Sequence, residues 1–143
     1  MQVEDILKMK GAGIVTIDPE ASTLELAQLL QQRQVGAAVV TDGHELLGVA
    51  AERDIVHAVA KLGIEALELP VTEIMSPAVV CEPHDAITDV MVAMTHRRVR
   101  HVPVLDTGGV MIGVVSLGDV VKHRLEEIET EASVLRDYIT IQR

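Results

Sequence analysis

At 143 residues the chain is large enough to bury a real core as one compact domain, and 48% of it is hydrophobic. Its aromatic residues reduce to one Tyr, so the core must be built from Val, Ile, Leu, Ala and Met, and a ligand base would lie between aliphatic side chains. A net charge of −10 excludes the broad basic surface that nucleic acids and anionic membranes require, and no apolar run approaches the roughly 20 residues of a membrane span.

From the N-terminus, MQVEDILKMK carries early acids and no apolar block, which is not the pattern of a secretory signal. The lone Cys81 forms no internal disulfide and no structural zinc site. The expectation is a soluble cytoplasmic protein. Val3 to Met9 reads as a short helical entry, echoed by VTEIM at Val71 to Met75. A β-rich run, Ile14 to Ile17, ends at Asp18-Pro19, and its echo is Val79 to Glu82, ended by Pro83; proline stops a ladder because it has no N–H. Ser22-x-x-Glu25 is a capping box opening a helix in which Thr23, Leu26, Ala27 and Leu30 form one stripe. Ile87, Val90, Met91 and Met94 repeat that spacing in the second half.

A strand follows in each half, AAVVTD from Ala37 and HVPVLD from His101. Each ends at an Asp before a glycine-containing turn, Gly43-His44 or Gly108-Gly109, and a further strand then leads into a helix. Ile55, Val59 and Leu62 are expected on the buried face of the first closing helix, with Gly63 as its C-cap and Gly63 to Pro70 as a linker. Pro19 and Pro83, Val40 and Val104, and Asp42 and Asp106 each stand 64 residues apart, and Gly48 and Gly113 stand 65 apart. The chain is therefore an internal duplication of a β-α-β-β-α unit: an α/β (α+β) fold of two pseudo-symmetric units, expected to pack face to face because a unit of about 60 residues buries too little surface alone. The boundaries read as 1–62, a linker 63–70, 71–127, and a helical extension 128–143.

In that extension Val121, Leu125, Ile128, Ala132, Leu135 and Ile139 are spaced 4, 3, 4, 3, 4 on a helix of about 25 residues. Such a helix either folds back on its own domain or faces a partner. The strict seam is narrower than a core-facing stripe, which favours a homodimer formed through the unit faces and this helix.

The clearest repeat is GVAAERDIV (Gly48 to Val56) against GVVSLGDVV (Gly113 to Val121), each an apolar strand running into a helix with an Asp in its first turn. Ser116 stands three residues before Asp119, whereas Ala51 precedes Asp54. With VTEIMSPAVVCEPHDAI and RRVRHVPVLD, these motifs resemble a tandem pair of CBS (cystathionine β-synthase) domains, a Bateman module, across nearly the whole chain. The chain resembles the small stand-alone proteins of that type.

The resemblance implies a cleft between the two units that binds an adenosyl ligand: AMP, ADP, ATP, NAD or S-adenosylmethionine. The family's Ser/Thr-x-x-Asp ribose contact carries over to Ser116 and Asp119, and in the first half to Asp54 alone. The base-contacting strand corresponds to Pro77 through Cys81, with Val79 and Val80 within it, and the Arg-His-x-Pro segment to Arg100, His101 and Pro103. Val79, Val80, Val102 and Val39 are core residues by pattern, and the resemblance lets the same strands line the base pocket. The resulting expectation is a regulatory sensor of an adenosine nucleotide, AMP foremost, without a catalytic cofactor; the alternative is a homodimeric interaction protein with a vestigial cleft.

A carboxylate accepts both vicinal hydroxyls of a ribose through charge-assisted bonds. Ser-x-x-Asp at a helix start is also a capping box, and Asp suits the positive end of the helix dipole. Asp54 persists where Ala51 cannot cap, so this Asp has a role apart from its capping partner. His96 to His101 is the dense basic cluster of an acidic chain. Arg98, Arg100 and His101 are its candidates for one to three phosphates; Arg53, from the first half, either reaches a phosphate or pairs with Glu52 or Asp54 at the surface. For catalysis there is no nucleophile elbow, no P-loop or G-x-G-x-x-G, and no metal-ligand spacing among the six histidines. Cys81 beside Glu82 is not an activated thiol.

Overall fold

A computed structural model describes residues 1–11 and 13–141. In chain order the elements are α1 (Val3–Lys10), β1 (Thr16–Ile17), α2 (Thr23–Arg33), β2 (Ala37–Thr41), β3 (Leu46–Ala51), α3 (Glu52–Leu62), two 3₁₀ helices (Gly63–Glu68 and Val71–Glu73), α4 (Ile87–Arg97), β4 (His101–Leu105), β5 (Met111–Ser116) and α5 (Leu117–Ile141). The chain separates into two compact units. The first holds Gly13–Val79; the second holds the described residues of Met1–Ala12 and Val80–Arg143.

In the first unit β1 runs parallel to β2 and β2 antiparallel to β3, with Val40 opposite Gly48. In the second, β4 and β5 pair antiparallel with Val104 opposite Gly113, so the glycines of the repeated motif hold equivalent ladder positions. Both hairpin turns are built by their aspartate. Asp42 Oδ1 accepts the amides of His44 and Glu45, and Asp106 Oδ1 those of Gly108 and Val110. Gly43 (φ 98°) and Gly109 (φ 79°) supply the left-handed residue each turn needs. The amides of Glu45 and His44 also hold the Asp42 carboxyl below its ordinary range. The Ser22 box forms both its bonds: Ser22 Oγ accepts the Glu25 amide and Glu25 Oε2 the Ser22 amide, each at 3.1 Å.

Each unit has its own core. Leu26, Leu30, Ala38, Val40, Ala50 and Val71 anchor the first. Val3, Ile6, Ile87, Val102, Val104 and Val115 anchor the second. Packing thus regroups the ends of the sequence repeat. The entry helix α1 buries Val3 and Ile6 completely in the unit of the second repeat, and Val71, from the second repeat's entry, is completely buried in the unit of the first. The glycines show why this is possible. A Cβ at Gly113 would lie 2.6 Å from Leu7 Cδ2, and one at Gly48 would lie 2.7 Å from the Ser76 carbonyl oxygen. Each entry segment crosses its strand where no side chain stands in the way.

Four expectations are corrected. Val79 to Glu82 is not a strand: Cys81 alone makes a parallel bridge, to Val104, through its amide to Pro103 O (3.0 Å) and its carbonyl to the Leu105 amide (2.9 Å). VTEIM forms a single 3₁₀ turn where α1 has eight helical residues. On α3 the buried residue is Ala58; Ile55 packs against the core, but Val59 and Leu62 are exposed. The segment read as a linker is a 3₁₀ helix that packs against α3 and α2 and buries Ala66 completely. Gly63 does cap α3, with φ 73° and its amide on Val59 O.

The long tail helix exists: α5 is 25 residues. Its first turns pack on β5, α4 and α1, burying Val120 and His123. From Ile128 to Ile141 every residue is exposed, so this half is not folded back onto the body of the chain. The extension read as 128–143 has its last two positions outside the described residues.

Candidate functional site

The site is assembled where β5 runs into α5. Ser116 ends the strand and Asp119 stands in the first helical turn. The two hold each other reciprocally: the Ser116 amide donates to Asp119 Oδ2 at 2.9 Å, and the Asp119 amide donates to Ser116 Oγ at 3.1 Å. The capping role is therefore real. It leaves the side chains half-buried at a helix N-terminus, where an anion is favoured.

The sequence gives no local sign of what else meets Asp119. Lys10, the last residue of α1, donates from Nζ to Asp119 Oδ2 at 2.6 Å and to the Val114 carbonyl oxygen at 2.8 Å. Burial pushes the Asp119 carboxyl up, but the Lys10 hydrogen bond, the Ser116 amide and hydroxyl, and the Lys10 charge together outweigh it. The net shift is downward, and the group is ionised at neutral pH.

The equivalent Asp54 is held differently. Its Oδ2 accepts the Ala51 amide and its Oδ1 accepts Ser76 Oγ, both at 2.8 Å. This is the role that Ala51 left open: Asp54 ties β3 and α3 to the segment that crosses Gly48. Both of its oxygens have partners within the first unit, whereas the bonds to Asp119 described above converge on Oδ2. Ser76 and Lys10 are the residues that pattern reading missed. One signal was available: Val3 to Val15 is twelve steps where Val71 to Val79 is eight, and the extra residues carry the lysine.

Register brings part of the basic cluster to the same turn. His101 lies directly opposite Ser116 across the β4–β5 ladder, and the Arg100 carbonyl accepts the Leu117 amide at 2.8 Å. Arg98 caps α4 in the left-handed conformation, φ 55°, and is exposed, as is Arg100. Among the base-pocket candidates of this unit, Val102 (1% exposed), Cys81 (7%) and Pro103 are taken into its core, while Val80 is exposed. Pro77, Val79, Arg53 and Asp54 belong to the first unit, where Pro77 and Arg53 are exposed and Val39 is buried.

Burial, with Asp85 nearby, pushes the Cys81 thiol up to about 12. A thiol-reactive probe at neutral pH is accordingly expected to label the native protein far more slowly than the urea-unfolded chain. Equal rates would contradict the placement of Cys81. Among the described residues no group of three or more His, Cys, Asp or Glu is placed to hold a metal ion, and no helix is long and apolar enough to cross a membrane.

Comparison with known proteins assigns both repeats to one family. A family model, that of the CBS domain, matches residues 3–61 and again 71–126. The mitochondrial CBS domain-containing protein CBSX3 of Arabidopsis thaliana is 30% identical over 96% of this chain and 71% of its own length. Among solved structures, the CBS-domain containing protein ATU1752 from Agrobacterium tumefaciens superposes with a TM-score of 0.81 at 40% identity, covering 86% of this chain and 98% of its own. The CBS domain protein PAE2072 from Pyrobaculum aerophilum, complexed with AMP, superposes with a TM-score of 0.74 at 27% identity, covering 83% and 89% respectively.

Proposed function

Because the chain belongs to the CBS domain family, carrying two copies of the domain, we propose that it is a regulatory module that binds an adenosine nucleotide at the Ser116–Asp119 turn. The observation that carries this reading is Asp119 itself, a carboxylate held ionised in the first turn of α5. Its Ser116 partner stands directly across the ladder from His101. A ribose diol donates to such a carboxylate, and an Arg/His segment one residue pair away suits the phosphate. AMP is the foremost ligand, with ATP, ADP and NAD as alternatives that present the same adenosine. The AMP complex of PAE2072 supports the choice. The module acts by binding rather than by turnover, and its output is a ligand-dependent change in what it offers a partner, which requires different affinities for two states.

A thermal-shift titration with AMP, ATP and NAD tests this reading. At nucleotide near 100 times Kd the binding term is about 2.7 kcal/mol, a rise in Tm of roughly 5–10 °C. No rise with any of the three at millimolar concentration would overturn the reading.

A second reading, a homodimeric interaction protein, draws on α5. Leu125, Leu135 and Ile139 are 55%, 59% and 49% exposed along a seam whose 4-3-4-3-4 spacing suits pairing with a second copy of itself. Leu125→Asp and Leu135→Asp are each expected to convert a dimer to a monomer in sedimentation equilibrium. A wild-type monomer at high concentration would remove this reading.

A further inference from the structure

Three features lie outside the Ser116–Asp119 motif itself: the buried His123, the exposed face of α3, and the lysine on Asp119. Only the last reaches a testable ligand chemistry. His123 has an Nδ1 without a hydrogen-bond partner, but the Glu126 carboxylate 3.7 Å from it sits on the same helix and points to no ligand. The α3 face, with Val56 67% exposed, carries nothing that says what covers it.

We infer that Lys10 is the charge selector of the nucleotide site: it makes the site take adenosine ligands bearing a 5′-phosphate, in preference to neutral or cationic adenosine derivatives. This rests on the reading that the ribose binds Asp119. Lys10 reaches the carboxylate from outside the Ser-x-x-Asp motif, from the far end of a separate helix, and its Nζ is held at two points, Asp119 Oδ2 and the Val114 carbonyl. Two of its three ammonium hydrogens are thus committed, and one remains to donate.

The energetics argue against a purely structural role. The side chains of Lys10 and Asp119 are 32% and 26% exposed, and ion pairs in contact with solvent contribute little to folding. The pair does decide the charge that a ligand meets. A bare Asp119 at this turn would repel a phosphate held nearby, and Lys10 cancels that repulsion. A ribose whose diol sits on the carboxylate carries its 5′ substituent one sugar ring away, within the sweep of a lysine stem that keeps its Val114 anchor. The ammonium then donates its remaining hydrogen to the phosphate, or leaves Oδ2 to the ribose and turns to the phosphate altogether. A neutral nucleoside gains no such contact and must still compete with Lys10 for Oδ2. A sulfonium such as S-adenosylmethionine also brings its positive charge toward the ammonium.

The equivalent turn of the first unit is built differently. In the first unit the place of Lys10 is taken by Ser76, whose hydroxyl satisfies Asp54 without bringing a charge. The extra entry residues before Val15 are what carry an ammonium to Asp119.

Isothermal titration at one ionic strength tests the assignment, with AMP, adenosine and S-adenosylmethionine as ligands and wild type, Lys10→Met, Lys10→Arg and Asp119→Asn as proteins. A charge-assisted hydrogen bond corresponds to about a tenfold change in affinity or more. Wild type is therefore expected to prefer AMP over adenosine by at least about tenfold. Lys10→Met is expected to lower that ratio by about tenfold, with adenosine affinity unchanged or raised, while Lys10→Arg retains the preference and Asp119→Asn weakens both ligands. In wild type the preference is also expected to shrink as salt rises, a measurement that needs no variant to fold. If Lys10→Met weakens AMP and adenosine equally, or leaves their ratio unchanged, the selector role is overturned while the ribose reading stands. If wild type binds none of these three ligands, nor ATP, ADP or NAD, both fall.

Discussion

Asp119→Ala is expected to weaken AMP binding by at least about tenfold and to abolish the nucleotide-dependent rise in Tm. Each ribose hydroxyl bonded to a carboxylate is worth about 1.5–3 kcal/mol, so losing one such bond accounts for tenfold and losing both accounts for far more. The unliganded protein loses less. The Ser116 amide loses its acceptor, a capping effect of about 1 kcal/mol, and a partly exposed ion pair disappears. Thermal denaturation of the free protein separates the two effects. An unchanged AMP titration with Asp119→Ala would show that the ribose is held elsewhere. Asp54→Ala provides the contrast: both oxygens of Asp54 are engaged by Ala51 and Ser76, so its removal is expected to act first on the stability of the first unit.

The pH dependence follows from the same carboxylate. Its folded value lies below the ordinary one, so it contributes stability that is fully present above the unfolded value. That contribution is lost as pH falls through the folded value. Wild type and Asp119→Asn should therefore differ in stability at neutral pH and converge in acid below the usual carboxylate range. AMP affinity should fall through the same window. A difference that grew on acidification would have the wrong sign for an ionised Asp119.

The second large effect is expected at Gly48. A methyl group there would stand 2.7 Å from the Ser76 carbonyl oxygen and 2.8 Å from Met75 Sδ. The carbonyl is backbone and cannot turn aside. It accepts the Val49 amide at 3.0 Å while the Ser76 amide donates to Val49 O at 2.9 Å, so the segment must lift off β3 and lose both bonds. Overpacking costs about 1–3 kcal/mol and each of the two lost hydrogen bonds about 1 kcal/mol, so Gly48→Ala is expected to destabilise by roughly 3–5 kcal/mol. At Gly113 the close atoms are the methyl tips of Leu7, which a rotamer change moves away, and Gly113→Ala should cost about 1 kcal/mol or less. Urea denaturation of the two variants compares them directly. Equal losses would mean that the crossing at Gly48 is looser than the geometry indicates.

The repeat was legible because its two copies keep a fixed offset, and the capping box at Ser22, the two aspartate turns and the length of α5 because each depends on residues close together in sequence. A capping box needs Ser22 and Glu25 alone; a hairpin turn needs Asp42 and the glycine after it. The errors have a common cause as well. Val79 to Glu82 has the composition of a strand, but strand formation needs a neighbour along its whole length, and only Cys81 finds one. Val59 and Leu62 carry a helical stripe, yet the core reaches α3 through Ala58 and Ile55, and apolar side chains beyond its reach remain exposed. Gly63 to Pro70 looks like a linker by composition, but its Ala66 is small enough to be buried beneath α2 and α3.

By itself the sequence determined the class of the protein, the duplication and the family, because those rest on local pattern, and it set the Ser116–Asp119 pair apart from Ala51 and Asp54. Only the tertiary structure decided which entry segment lies on which strand, and so what each aspartate touches. Lys10 and Asp119 are 109 positions apart, and Ser76 and Asp54 are 22 apart. No periodicity links them. They meet because the chain exchanges its entry segments between the two repeats across glycines, and that exchange gives one carboxylate a lysine and the other a hydroxyl.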